Sequence, residues 1–101
     1  MAGPTRYRRR ADKNQPEIVE AFRARGAKVF HTHTIGRGFP DLFVDICGEC
    51  FLIEVKASAQ DKLTTHEKKF AKEFNGDYLR VVHSIEQVDA LVNAVKRKKT
   101  Q

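Results

Sequence analysis

A chain of 101 residues has room for one domain and one modest core, because surface-to-volume scaling leaves little interior for a second. With 41% hydrophobic and 32% charged residues, the composition excludes fibrous and disordered classes, and no apolar run approaches the roughly 20 residues that span a bilayer. The formal net charge is +6, and residues 14–95 hold ten Lys or Arg against twelve Asp or Glu, so the ends carry the whole positive surplus. These features predict a cytoplasmic protein with a polyanionic partner; the plainer alternative is that charged tails only aid solubility.

In chain order, residues 1–13 form a basic arm with Arg6, Arg8, Arg9, Arg10 and Lys13. From Pro16 to Arg25, Ile18, Val19, Ala21 and Phe22 fall at near-helical spacing and Gly26 follows as a C-cap, which predicts an amphipathic helix. Lys28–Thr34 reads as a short strand ended by the glycines at 36 and 38. Two strands follow, Asp41–Cys47 and Cys50–Ala57, joined by Gly48 and Glu49 as a two-residue turn. Thr64 and Glu67 match a capping box for a second helix, with Phe70, Ala71 and Phe74 as its buried stripe and Gly76 beyond its end. Tyr78–His83 alternates as a strand, and Ser84 caps a last helix that turns Val88, Leu91, Val92 and Val95 inward. Residues 96–101, with Lys96, Arg97, Lys98 and Lys99, read as a basic tail, leaving 14–95 as the folded domain. The order αβββαβα predicts an α/β domain with a mixed sheet flanked by helices.

The hairpin holds the densest chemistry. With Gly48 and Glu49 as the turn, Cys47 faces Cys50, Phe43 faces Glu54 and Asp41 faces Lys56. Alternation then places Asp41, Glu54 and Lys56 on one face, while Leu42, Val44, Ile46, Phe51, Ile53 and Val55 make the other face apolar. Two carboxylates roughly 7–8 Å apart on the diagonal can grip one hard cation. Such an ion beside a lysine suits phosphodiester hydrolysis, because charge at the phosphate is neutralised and water is acidified. An ordinary cross-strand ion pair between Asp41 and Lys56 is the bland alternative.

Gly38-Phe39-Pro40-Asp41 followed by Ile53-Glu54-Val55-Lys56 resembles the PD-(D/E)XK nuclease superfamily. The ordered series Asn14-Gln15-Pro16-Glu17-Ile18-Val19, Pro40-Asp41, Glu54-Val55-Lys56 and Leu63-Thr64 is similar to small phage proteins related to VRR-NUC domains and Holliday junction resolvases. The resemblance implies the αβββαβ core of the restriction-endonuclease-like fold, plus a C-terminal helix. It implies a metal-dependent DNA endonuclease in which Asp41, Glu54 and the Val55 backbone carbonyl bind Mg²⁺ or Mn²⁺ and Lys56 assists attack. A first-helix acid of the family maps to Glu17, with Gln15 as the alternative alignment, and Glu67 stands where relatives often have Gln. Branched or otherwise structured DNA is the implied substrate, a homodimer the implied assembly, and a protein activator is left open. Non-catalytic alternatives are a nucleic-acid-binding module that keeps the fold, and a phage accessory protein that binds another protein.

Other residues take secondary roles. Arg37, with His31 and His33, leads into the Asp41 loop and could touch phosphate; Lys68 and Lys72, near Lys62 and Lys69, form either a DNA-backbone stripe or the wet face of a helix. The terminal basic residues 6, 8, 9, 10 and 96–99 complete the candidate DNA contacts. Cys47 and Cys50 form a C-x2-C pair without a second pair, so reduced strand cysteines are the simpler reading than zinc.

Overall fold

The computed structural model describes residues 13–74 and 76–100, so the arginines at 6, 8, 9 and 10 lie outside the described residues. The elements are α1 (Gln15–Ala24), β1 (Lys28–His31), a 3-10 turn (His33–Ile35), β2 (Leu42–Ile46), β3 (Glu49–Val55), α2 (Thr65–Glu73), β4 (Leu79–Val82) and α3 (Ile85–Lys99). They form a four-stranded sheet in the order β1-β2-β3-β4. The first three strands are antiparallel neighbours, and β4 joins β3 in parallel after the α2 crossover. This is the mixed α/β sheet expected from the element order.

One face of the sheet carries the core. Leu42, Val44 and Ile46 of β2 and Phe51, Ile53 and Val55 of β3 point into it, meeting Ile18, Val19 and Phe22 of α1 and Val88, Val92 and Val95 of α3. The period-2 pattern of the hairpin and the near-helical spacing of α1 therefore meet as read. No helix among the described residues is long and apolar enough to cross a membrane.

Four local expectations change. The hairpin turn is Cys47-Gly48, so Phe43 pairs with Leu52, Val44 with Phe51 and Asp45 with Cys50. Both turn residues have positive φ (53° and 90°), as a type I′ turn requires, and the Asp45 carboxylate accepts a 2.7 Å hydrogen bond from the Gly48 N–H. Each β2 residue thus meets a partner two positions earlier on β3 than the turn at Gly48-Glu49 would give. Because the shift is even, every side chain stays on its face.

The first strand stops at His31. The Thr32 N–H bonds the Asp41 carbonyl at 2.8 Å and its hydroxyl donates to the Pro40 carbonyl at 2.8 Å, which turns the following residues into the 3-10 segment. Phe70, Ala71 and Phe74 are half-buried and outside the core cluster, and Glu67 is the buried side chain of α2, because the first turn of this helix covers Lys56 and Gly38 at the end of the hairpin. Finally, Lys96, Arg97, Lys98 and Lys99 form the last turn of α3, where cations suit the negative end of the helix dipole. Lys98 pairs with Glu49 at 2.9 Å, and Lys96 donates to the Arg25 carbonyl at 3.3 Å.

Candidate active site

The site forms where the hairpin leaves the sheet. Extended by one residue, the observed β2/β3 register sets Asp41 directly across from Glu54 rather than from Lys56. The Val55 N–H donates to the Asp41 carboxylate at 2.8 Å, which ties the start of β2 to the end of β3. Asp41 and Glu54 are 6% and 5% exposed, so two acids share a desolvated corner on the face opposite the core.

The approach to Asp41 is set by Gly38, whose φ is +79°, and a Cβ there would collide with the backbone carbonyl of His66 in α2. Phe39 then seats its ring edge-on to Phe70 with centroids 5.1 Å apart, so the Gly38-Phe39-Pro40 segment packs against α2. The local sequence thereby brings the first turn of α2 to the hairpin.

That turn carries the residue the sequence reading underrated. Glu67 closes the capping box: its carboxylate accepts the Thr64 N–H at 2.8 Å, and its own N–H donates to the Thr64 hydroxyl at 3.2 Å. The same oxygen, Oε1, accepts the Lys56 ammonium at 2.8 Å, and Glu67 is 6% exposed. The signal available in the sequence was the capping box itself, since a Glu fixed at that helix position must sit over whatever the first turn covers.

Glu54 and Glu67 both face the Lys56 ammonium, and the Asp41 carboxylate lies close enough to Glu54 to act on its charge. Lys56 lies 2.8 Å from Glu67 and 3.6 Å from Glu54, so its charge goes chiefly to Glu67. Burial first, then the hydrogen bond with Glu67 and the charges of Asp41 and Glu67, push the Glu54 carboxyl up to about 9 against the pull of Lys56. Burial also pushes Glu67 upward, but its hydrogen bonds with Glu54, Lys56 and Thr64 outweigh this and hold it at about 2. At neutral pH Glu54 is thus the proton-bearing member.

Asp41 and Glu54 are oxygen donors of the type that could hold a divalent cation at this corner. Among the described residues no group of three His, Cys, Asp or Glu side chains is arranged to hold an ion. Magnesium-type ions are commonly held by one or two carboxylates, with carbonyl and water oxygens completing the shell.

The remaining candidates disperse. Glu17 is exposed on α1, whereas Gln15, two residues earlier, is 3% exposed with a buried Oε1 that has no partner among the described residues. Arg37 is exposed with φ 55°, directly before the Gly38 contact, and Lys68 and Lys72 are exposed on α2. His31 is exposed and His33 half-buried, their rings 6.3 Å apart. Cys47 and Cys50 are free and exposed, Cys47 in the turn itself rather than in a strand.

The backbone closely follows that of a solved "VRR_NUC domain", with a TM-score of 0.64, 34% sequence identity, and coverage of 78% of this chain and 89% of that one. The chain belongs to the VRR-NUC domain family. No protein-family model and no curated protein matches the sequence. The VRR-NUC assignment establishes a nuclease-like fold, in which the Pro40-Asp41 and Glu54-Val55-Lys56 segments occupy adjoining strand ends.

Proposed function

We propose that this VRR-NUC chain is a metal-dependent DNA endonuclease. The observation that carries the reading is the gathering of the buried carboxylates Asp41, Glu54 and Glu67 at the open end of the hairpin, with the Lys56 ammonium on Glu67 and near Glu54. Crowding of buried carboxylates that raises the Glu54 carboxyl is the kind of arrangement found at functional sites, and a bound cation would relieve it in place of the proton. Asp41 and Glu54, with the Val55 carbonyl, would hold Mg²⁺ or Mn²⁺. Such an ion supplies charge neutralisation at a phosphodiester and acidification of water.

The chain's own groups do the rest. Asp41 is oriented by the Val55 N–H, so its carboxylate keeps one direction as substrate enters. Lys56 is held by Glu67 close to Glu54, where its ammonium orients the attacking water and offsets charge on the phosphate. Arg37, Lys68 and Lys72 are exposed cations for the DNA backbone, joined by the arginines of the N-terminal arm and the lysines and arginine of the last turn of α3.

The reading includes a second copy of the chain on the open sheet face. Phe30, Phe43, Leu52 and Leu79 form one register row across all four strands, with Phe30 and Phe43 at 55% and 37% exposure. Val81 extends the patch beside Glu54, and its 43% exposure marks it as uncovered in the monomer. The row contains no cation, so it suits apolar burial against its own copy better than a phosphate backbone. Branched or otherwise structured DNA is the substrate class that two such sites would engage.

The test is cleavage of labelled four-way-junction, flap and linear duplex DNA with Mg²⁺ or Mn²⁺, with Asp41→Asn and a chelator as controls. Metal-dependent cuts by wild type that vanish in both controls are expected. DNA binding without cuts under every metal condition would instead support a non-catalytic module.

A further inference from the structure

We propose that Asn14 is a positioning residue for Lys56, an inference that rests on the catalytic role given to Lys56 above. Asn14 occupies the N-cap position of α1, where this residue type ordinarily accepts an N–H of the first turn, yet its side chain makes no capping bond. Its Nδ2 instead donates to the Lys56 carbonyl at 2.9 Å and to the His83 carbonyl at 3.3 Å. Its Oδ1 is buried without a partner among the described residues.

That orientation is informative. Both neighbours are carbonyl oxygens, so only the amide nitrogen can face them, and a flipped amide would set oxygen against oxygen. The helix asks this position for an acceptor, and the residue spends its donor elsewhere. Local satisfaction is given up for a contact that joins α1 to the ends of β3 and β4.

The contact falls where the sheet stops supporting the site. β3 ends at Val55 and β4 at Val82, and the Lys56 N–H makes a 3.0 Å bond to the Val82 carbonyl. Asn14 secures the other side of the same residue through its carbonyl, while Glu67 holds the Nζ. Lys56 is thus fixed at its N–H, its C=O and its side-chain tip. Loss of the carbonyl tether leaves the backbone free to drift toward the loop at 57–64, and a misplacement near 1 Å at a reacting group costs on the order of a hundredfold in rate.

Asn14→Ala removes the tether, and Asn14→Asp keeps the shape but replaces the donor with an acceptor. Arg25→Ala serves as the control for general loosening of α1, because it breaks the 3.0 Å Arg25–Asp89 pair at the other end of the helix. Single-turnover cleavage at saturating DNA and Mg²⁺ should fall at least about tenfold in both Asn14 variants. The DNA Kd and the Mg²⁺ midpoint should stay within about twofold, and Arg25→Ala should keep the wild-type rate. Hydrogen exchange should quicken at the Lys56 amide more than at Ile53. An equal loss of rate in Arg25→Ala, or Asn14 variants within twofold of wild type, overturns the proposal. If wild type does not cleave any substrate, the nuclease reading has failed, and unchanged Lys56 exchange in the Asn14 variants then rejects the tether on its own.

Discussion

Metal binding should expel one proton, and the proton should come from Glu54. With its carboxyl raised to about 9, only ~1% of Glu54 is ionised at pH 7 in the metal-free protein, since each unit is a factor of ten. A divalent ion takes the ionised form, so apparent affinity should climb nearly tenfold per pH unit below pH 8 and roughly fiftyfold between pH 7 and pH 9. Calorimetric titration with Mn²⁺ at pH 7, repeated in buffers of different ionisation enthalpy, should show release of about one proton per ion. In Glu54→Gln both the proton release and the pH dependence should disappear together with most of the affinity. Affinity that is flat from pH 6 to pH 8.5, with no net proton release, would refute the protonated state of Glu54 and its place as a ligand. The same shift fixes the sign for stability without metal. The folded value lies above the ordinary carboxylate value of 4.5, so the native state holds the extra proton between about 4.5 and about 9, and stability falls as pH rises through that window. Glu67 acts oppositely: its contribution is present above 4.5 and is lost as pH falls toward about 2.

Four further outcomes are expected. Gly38→Ala should destabilise the fold by roughly 2–4 kcal/mol by thermal melting, because positive φ and the collision with the His66 carbonyl act together; an unchanged Tm would contradict the close approach of loop and α2. Glu67→Ala should lose about 1–2 kcal/mol from the cap alone and also lower cleavage, whereas Glu67→Gln should keep most of the stability because an amide oxygen still accepts from Thr64. Removing residues 1–12 should weaken binding of all DNA sequences alike and reduce the log Kd against log salt slope by up to about 3–4, near 0.9 for each phosphate contact made by Arg6, Arg8, Arg9 and Arg10. Phe43→Asp should shift the chain to monomer in sedimentation, and a wild type already monomeric at high concentration would remove the second copy from the open face.

Much of the fold was legible because its signals are local. The alternation in 42–46 and 51–55 marked the buried face of the hairpin, and Thr64 with Glu67 marked the start of α2. The apolar face of the hairpin followed from parity alone and is unchanged by the even shift of the turn. The length of the first strand was less legible, because Thr32 ends it through bonds to Pro40 and Asp41, residues that reach it only after the loop has folded back.

The sequence by itself determined which residues share a face, since the strand period is a property of the backbone and needs no partner. Only the tertiary structure decided which of them touch. An even register shift leaves the hydrophobic pattern intact, so the choice of Cys47-Gly48 as the turn, and with it Asp41 opposite Glu54, fell to turn geometry and the Asp45–Gly48 bond. The burial of Glu67 against Lys56 and the reach of Asn14 to the Lys56 carbonyl depend on contacts 11 and 42 residues apart in sequence, which no local periodicity encodes.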